Sequence, residues 1–151
     1  MGKNHALLSP SAAHRWLRCT AAPLREERCP DTSSDFAREG TLAHAYAAKA
    51  LKEADGGADT WSEREEIREL GEYRSPEMEE HVEYYRRLVL GVLEQARSVD
   101  PYARLLVEER VSLPGAAGRE CFGTADAIVV NDWALEVFDF KYGRGVKVSA
   151  K

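Results

Sequence analysis

The 151-residue sequence has few cysteines, and none at metal-ligand spacing. Cys19, Cys29 and Cys121 are an odd number, which argues against a disulfide frame or a zinc site and for free thiols in a cytoplasmic protein. Long apolar runs are also missing. Nothing approaches the roughly 20 residues of a membrane span, so no membrane partner is expected. Met1 to Pro10 lacks a basic stretch followed by an apolar one, so no secretion signal is read there. Internal repeats and low-complexity segments are absent too.

What is present fits one globular domain over 1–151. Hydrophobic residues make up 44% of the chain and charged residues 31%, enough for one core and a soluble surface. The net charge of -5 is unevenly spread. Residues 1–50 carry 7 basic and 5 acidic groups, 51–100 carry 7 and 14, and 101–151 carry 7 of each. The acidic excess lies in the middle third, so a DNA-facing surface can be built from the outer two; equally, the acidity can serve solubility alone.

Ser9-Pro10 reads as a helix cap with proline at the first turn, and predicts a helix from Ser11 to Cys19 with Ala13, Trp16 and Leu17 on one face. Thr20 to Ser34 reads as a loop with one short turn at Leu24 to Arg28. Leu42, Ala43, Tyr46, Ala47, Ala50 and Leu51 form an apolar stripe on a helix over Phe36–Ala54, ended by Gly56-Gly57. Trp61 to Leu70 is a short helix or an ordered loop. Ser75-Pro76 opens the longest helix, to Ser98, whose buried stripe is Met78, Val82, Tyr85, Leu88, Val89, Val92 and Leu93.

After Asp100-Pro101 the period becomes strand-like. Strands are predicted over Arg104–Leu113, Glu120–Val130 and Ala134–Lys141, with turns at Pro114 to Gly118 and Asn131-Asp132. The fold class is therefore α+β: N-terminal helices packed on an antiparallel β-meander.

The chemistry gathers at the end of that meander. Residues i and i+2 of a strand share a face, so Asp139 and Lys141 point the same way, with Leu135 and Val137 anchoring the strand in the core. A hairpin turn near Asn131-Asp132 sets Asp126 opposite Val137 to Asp139. Two adjacent carboxylates repel, and Mg2+ or Mn2+ neutralises them while keeping positions open for water and phosphate. Such an ion can polarise a phosphodiester, and Lys141 adds a point charge beside it. Asp126, Asp139 and Lys141 are thus candidate catalytic residues. An Asp-X-Lys strand triplet also serves commonly as a plain ion pair. Gly123, Gly143 and Gly145 around the triplet suggest close backbone approach at a strand end.

These residues carry a resemblance. Gly123-Thr124-Ala125-Asp126, a hairpin, and then Val137-Phe138-Asp139-Phe140-Lys141-Tyr142-Gly143 resemble the PD-(D/E)XK nuclease superfamily in its RecB-like branch. Glu39-Gly40-Thr41-Leu42-Ala43-His44 resembles that branch's helical motif, Gly-Thr followed three residues later by His. The opening Ser9 to Cys19 is similar to the start of a phage- and prophage-associated family in the branch. The resemblance spans Ser9 to Val148. It implies His44, Asp126, Asp139 and the Phe140 carbonyl as metal ligands, Lys141 as the catalytic lysine, and Mg2+ or Mn2+ as the cofactor. It further implies a restriction-endonuclease-like core, DNA as substrate, and phage recombination or replication proteins as partners.

Two departures follow from the same comparison. Some RecB-like nucleases hold an iron–sulfur cluster on one early and three late cysteines. Cys19 matches the early position and no late trio exists, so no cluster is expected. The family pattern also continues, beyond the position of Lys151, with a helix carrying a Gln-X-X-X-Tyr-type motif and a further strand. The chain therefore reads as the N-terminal part of such a domain, with an incomplete sheet. The expected function is metal-dependent DNA hydrolysis of phage or prophage type. The alternatives are a nuclease-like fold that only binds DNA or a partner, and a helical interaction module built on Pro76 to Ser98.

Overall fold

A computed structural model describes residues 8–29, 34–112 and 121–143. It is mixed α+β, with five α-helices and three strands among the described residues. The strands lie in the order β1-β2-β3 in one antiparallel sheet: β1 (Arg104–Ser112), β2 (Phe122–Val130) and β3 (Leu135–Phe138). The described residues fall into two compact units. No helix among them is long and apolar enough to cross a membrane.

The first unit draws on Met1–Thr32 and Glu109–Ala125. Here the expected helix from Ser11 is a 3-10 turn, Pro10–Ala12, followed by the single-turn α1 (Ala13–Trp16). The Trp16 indole N–H donates to the Ser9 carbonyl at 2.8 Å, closing the turn on itself. A short α2 (Ala22–Glu26) covers the region read as a loop with one turn, and Arg15 pairs with Glu26 at 2.7 Å. Gly123 is needed where it stands. A Cβ there would meet the Pro10 ring at 3.0 Å, tighter than most such contacts, so the ring would have to give. Nearby, the Arg110 guanidinium lies 3.5 Å over the Phe122 ring.

The second unit draws on Ser33–Glu108 and Asp126–Lys151 and holds the larger core. In it α3 (Asp35–Ala54) starts where the Ser34 hydroxyl accepts the Ala37 N–H, and it ends at Gly56, whose φ of +78° suits a residue without Cβ. Helix α5 (Pro76–Val99) starts at Ser75, whose hydroxyl accepts the Met78 N–H at 3.1 Å. The buried faces of the two helices carry Leu42, Ala43, Ala47 and Leu51, and Met78, Val82, Tyr85, Val89 and Leu93. Alanines on α3 keep its surface low, which lets the larger side chains of α5 fill the space. Leu88, expected in the stripe, is exposed, because the row through Val82, Tyr85, Val89 and Leu93 turns it off the buried arc. Ala127 and Val129 of β2 complete the core together with Phe140.

Helix α4 (Trp61–Glu69) is tied to α3 by charge. Glu63 forms a capping box with Thr60 and an ion pair with Lys52. Burial disfavours the Glu63 carboxylate, but the hydrogen bonds from Lys52 and Thr60 outweigh it and hold its pKa below the ordinary value.

The β2–β3 register sets Ala127 opposite Phe138 and Val130 opposite Leu135. The turn is longer than an Asn-Asp pair. Asn131 accepts the N–H groups of Trp133 and Ala134 on its side-chain oxygen, so four residues make the bend. Two expectations need correction. Strand β3 ends at Phe138 rather than Lys141, because the Phe140 N–H leaves the ladder for a carboxylate. Leu135 and Val137 do not anchor in the core; they are 62% and 59% exposed. The core face of the hairpin instead carries Ala127, Val129 and the half-buried Phe138. The turn expected at Pro114 to Gly118 lies outside the described residues.

Candidate metal centre

Three side chains from three elements converge within the second unit. Among the described residues, His44, Glu108 and Asp126 form a group in which one ligand atom from each lies within 4.8 Å of the others. His44 projects from α3, Glu108 from β1 and Asp126 from β2.

Each is placed by a local device. His44 lies at the rim of the apolar face of α3, and its ring meets Phe140 edge-on at 5.5 Å. Asp126 is held from two sides. Its Oδ2 accepts the Phe140 N–H at 2.6 Å, and its Oδ1 is 3.3 Å from His44 Nδ1. Glu108 has a φ of +53°, the one described residue other than glycine with positive φ. Left-handed backbone inside a strand is uncommon for a side chain of this size, and it breaks the in-and-out alternation. Leu105 and Val107 pack toward the core, and the twist at the next residue re-aims its carboxylate toward α3. Strain of this kind persists where neighbouring structure enforces it.

The segment after β3 is pinned as well. The Tyr142 hydroxyl is 3.3 Å from Ser75 Oγ, and its ring meets His81 of α5 at 5.6 Å. Gly143 then turns with φ +96°.

The electrostatics follow from this geometry. For His44, burial is the largest influence and opposes the charged form. The hydrogen bond to Asp126 and the charges of Asp126 and Glu108 outweigh it, so its pKa is raised. Burial also opposes the Asp126 carboxylate, but His44, the Phe140 amide and the Lys141 charge together lower its pKa. Glu108 is exposed as a residue, but partial desolvation of its carboxyl group and then the like charges of Asp126 and Glu63 raise its pKa.

A pH dependence results. The raised His44 stabilises the fold fully below about pH 6.5, its unfolded pKa, and this is lost as pH rises through the folded value. The lowered Asp126 stabilises above about pH 4 and its share is lost as pH falls through the folded value. We expect the stability difference between wild type and His44→Gln to be greatest between about pH 4 and 6.5 and to shrink on both sides, as read from urea melts in metal-free buffer. A difference independent of pH would contradict the pairing.

The sequence-predicted residues thus divide. His44 and Asp126 come together. Asp139, expected as a ligand, is not in the group: its carboxylate is exposed and accepts from Lys141 Nζ at 2.7 Å. Phe140 meets the group through its amide N–H, on Asp126. Lys141 is exposed and paired with Asp139, and its charge acts to lower the pKa of both His44 and Asp126. Glu108 was not singled out from the sequence. The only signal for it there is an acidic pair, Glu108-Glu109, directly after the apolar run Leu105-Leu106-Val107.

One imidazole and two carboxylates can hold a small divalent ion. Ligands at about 2.0–2.2 Å from an ion stand roughly 3 Å apart when adjacent and about 4 Å when opposite. The 3.3 Å His44–Asp126 separation already fits, and the 4.8 Å limit needs only a small closure. Carboxylates favour Mg2+ and Mn2+, and the imidazole shifts the preference toward Mn2+.

Residues 5–151 match the family described as "Protein of unknown function (DUF2800)", and the chain belongs to it. No solved structure matches the chain.

Proposed function

We propose that this DUF2800 member is a metal-dependent hydrolase of DNA phosphodiesters, with Mg2+ or Mn2+ held by His44, Glu108 and Asp126. The observation that carries the reading is the convergence of those three ligand atoms from α3, β1 and β2. The motif resemblance of the Gly123–Asp126 and Val137–Gly143 segments supplies the substrate class. A bound divalent ion would polarise a phosphoryl oxygen and make a water more acidic.

The chain's own residues have separate tasks. The Phe140 amide prevents Asp126 from turning away from the group. Glu108 adds the second negative charge needed to balance a divalent cation, from a residue whose backbone is left-handed. Lys141 offers a cation for the developing charge on a phosphate oxygen. Its ion pair with Asp139 orients the ammonium group.

The test is cleavage of linear double- and single-stranded DNA by the 151-residue chain with Mg2+ or Mn2+. We expect cutting that chelation abolishes. Lys141→Ala should reduce it about 100-fold while leaving Mn2+ binding in place. Absence of metal-dependent cutting on either substrate would overturn the assignment.

One observation favours a second reading. The Asp139–Lys141 pair is exposed and self-satisfied, as in an ordinary surface ion pair. That suits a nuclease-like fold that binds DNA or a partner without cutting. Salt-sensitive DNA binding with no cleavage would select it.

A further inference from the structure

Tyr85 stands apart from the rest of the α5 stripe. The residue is 6% exposed, and its hydroxyl is the one buried side-chain polar atom without a hydrogen-bond partner among the described residues. Its ring packs against Phe140 at 4.8 Å, and Phe140 in turn meets His44. The hydroxyl also lies within the field of three carboxylates. Burial, and then the charges of Asp126, Glu108 and Asp139, hold its proton more firmly than usual. A protonated phenol ordinarily donates one hydrogen bond. This one donates none, although buried hydroxyls are nearly always satisfied. Phenylalanine would fill the same space without leaving a donor idle.

We infer that Tyr85 is a positioning residue for the metal centre, its hydroxyl donating to a water that a divalent ion carries into the His44–Glu108–Asp126 group. The inference rests on the metal-centre reading and extends it to the layer behind the ligands. Such outer partners orient what the ion holds, and removing one typically weakens affinity about 10- to 100-fold.

The test compares the 151-residue chain with Tyr85→Phe, using Mn2+ as the probe. Without metal, Tyr85→Phe should melt at the same temperature as wild type or higher, because a buried unsatisfied donor is gone while the ring remains. Calorimetry should show Mn2+ binding about tenfold weaker. Water-proton relaxation by bound Mn2+ should show a shorter stay of the coordinated water. If Tyr85→Phe melts lower without metal but matches wild type in affinity and relaxation, the tyrosine is structural and the assignment is overturned. If wild type binds Mn2+ and the variant matches it in every readout, the centre stands and the role of Tyr85 falls. If wild type binds no Mn2+, the metal centre fails and takes this assignment with it.

Discussion

Asp126→Ala should weaken Mn2+ binding by at least about 100-fold, beyond what loss of an outer partner costs, and should destabilise the metal-free protein as well. The two effects share a cause. The Asp126 carboxylate serves the ion group with one oxygen and the backbone of Phe140 with the other. Alanine leaves the Phe140 N–H and the His44 ring without their acceptor, a loss of about 2–3 kcal/mol for a hydrogen-bonded charge in a mostly buried place. Asp126→Asn separates the two. Its amide oxygen can still accept the Phe140 N–H, so part of the stability should return. Its missing charge should leave Mn2+ affinity low. Calorimetry and urea melts on the three proteins read both quantities, and an Asp126→Ala that binds Mn2+ like wild type would remove Asp126 from the ligand set.

Leu51→Ala should lower stability alone. Leu51 is fully buried on α3 among the side chains of the larger core. Truncating such a leucine costs about 2–5 kcal/mol, through lost burial and the cavity left behind. In a domain of this size that is a fall of roughly 10 °C in Tm. Leu51 is about 10 Å along the helix from His44, far enough for the two sites to behave independently. Mn2+ affinity measured well below the melting temperature should therefore stay near wild type. A parallel loss of affinity would mean that the centre depends on core packing and is not a locally built site.

The helices were legible because their signals are local. Ser75 caps where a cap is expected, and the stripes on α3 and α5 place most of the core. The choice left open over Trp61 to Leu70 is settled by Glu63, whose capping box and ion pair make that segment helical. The α+β class follows from the change of period after Asp100-Pro101. The strand ends were less legible. Alternation in Leu135 to Lys141 suggests a continuous strand, but it cannot show that the Asp126 side chain captures the Phe140 amide and ends the ladder.

The candidate site was half legible for a similar reason. His44 and Asp126 sit in short motifs that survive as strings of letters. Glu108 joins them through a backbone angle, and no residue pattern announces that a glutamate will adopt left-handed geometry. Asp139 shows the converse. Its spacing from Lys141 is correct for a shared face, and the two use that face to satisfy each other.

The twist at Glu108 also bears on how the chain finds its fold. Strands of mixed aliphatic and polar residues can pair one position out of step, which sends every inward side chain outward. In β1 such a slip would exchange Leu105 and Val107 for Arg104 and Leu106, and would move the left-handed position onto a neighbour. An irregularity at a single residue gives the ladder a fixed origin to count from. The distortion that directs a carboxylate at α3 would thus also keep β1 from settling into a misaligned sheet.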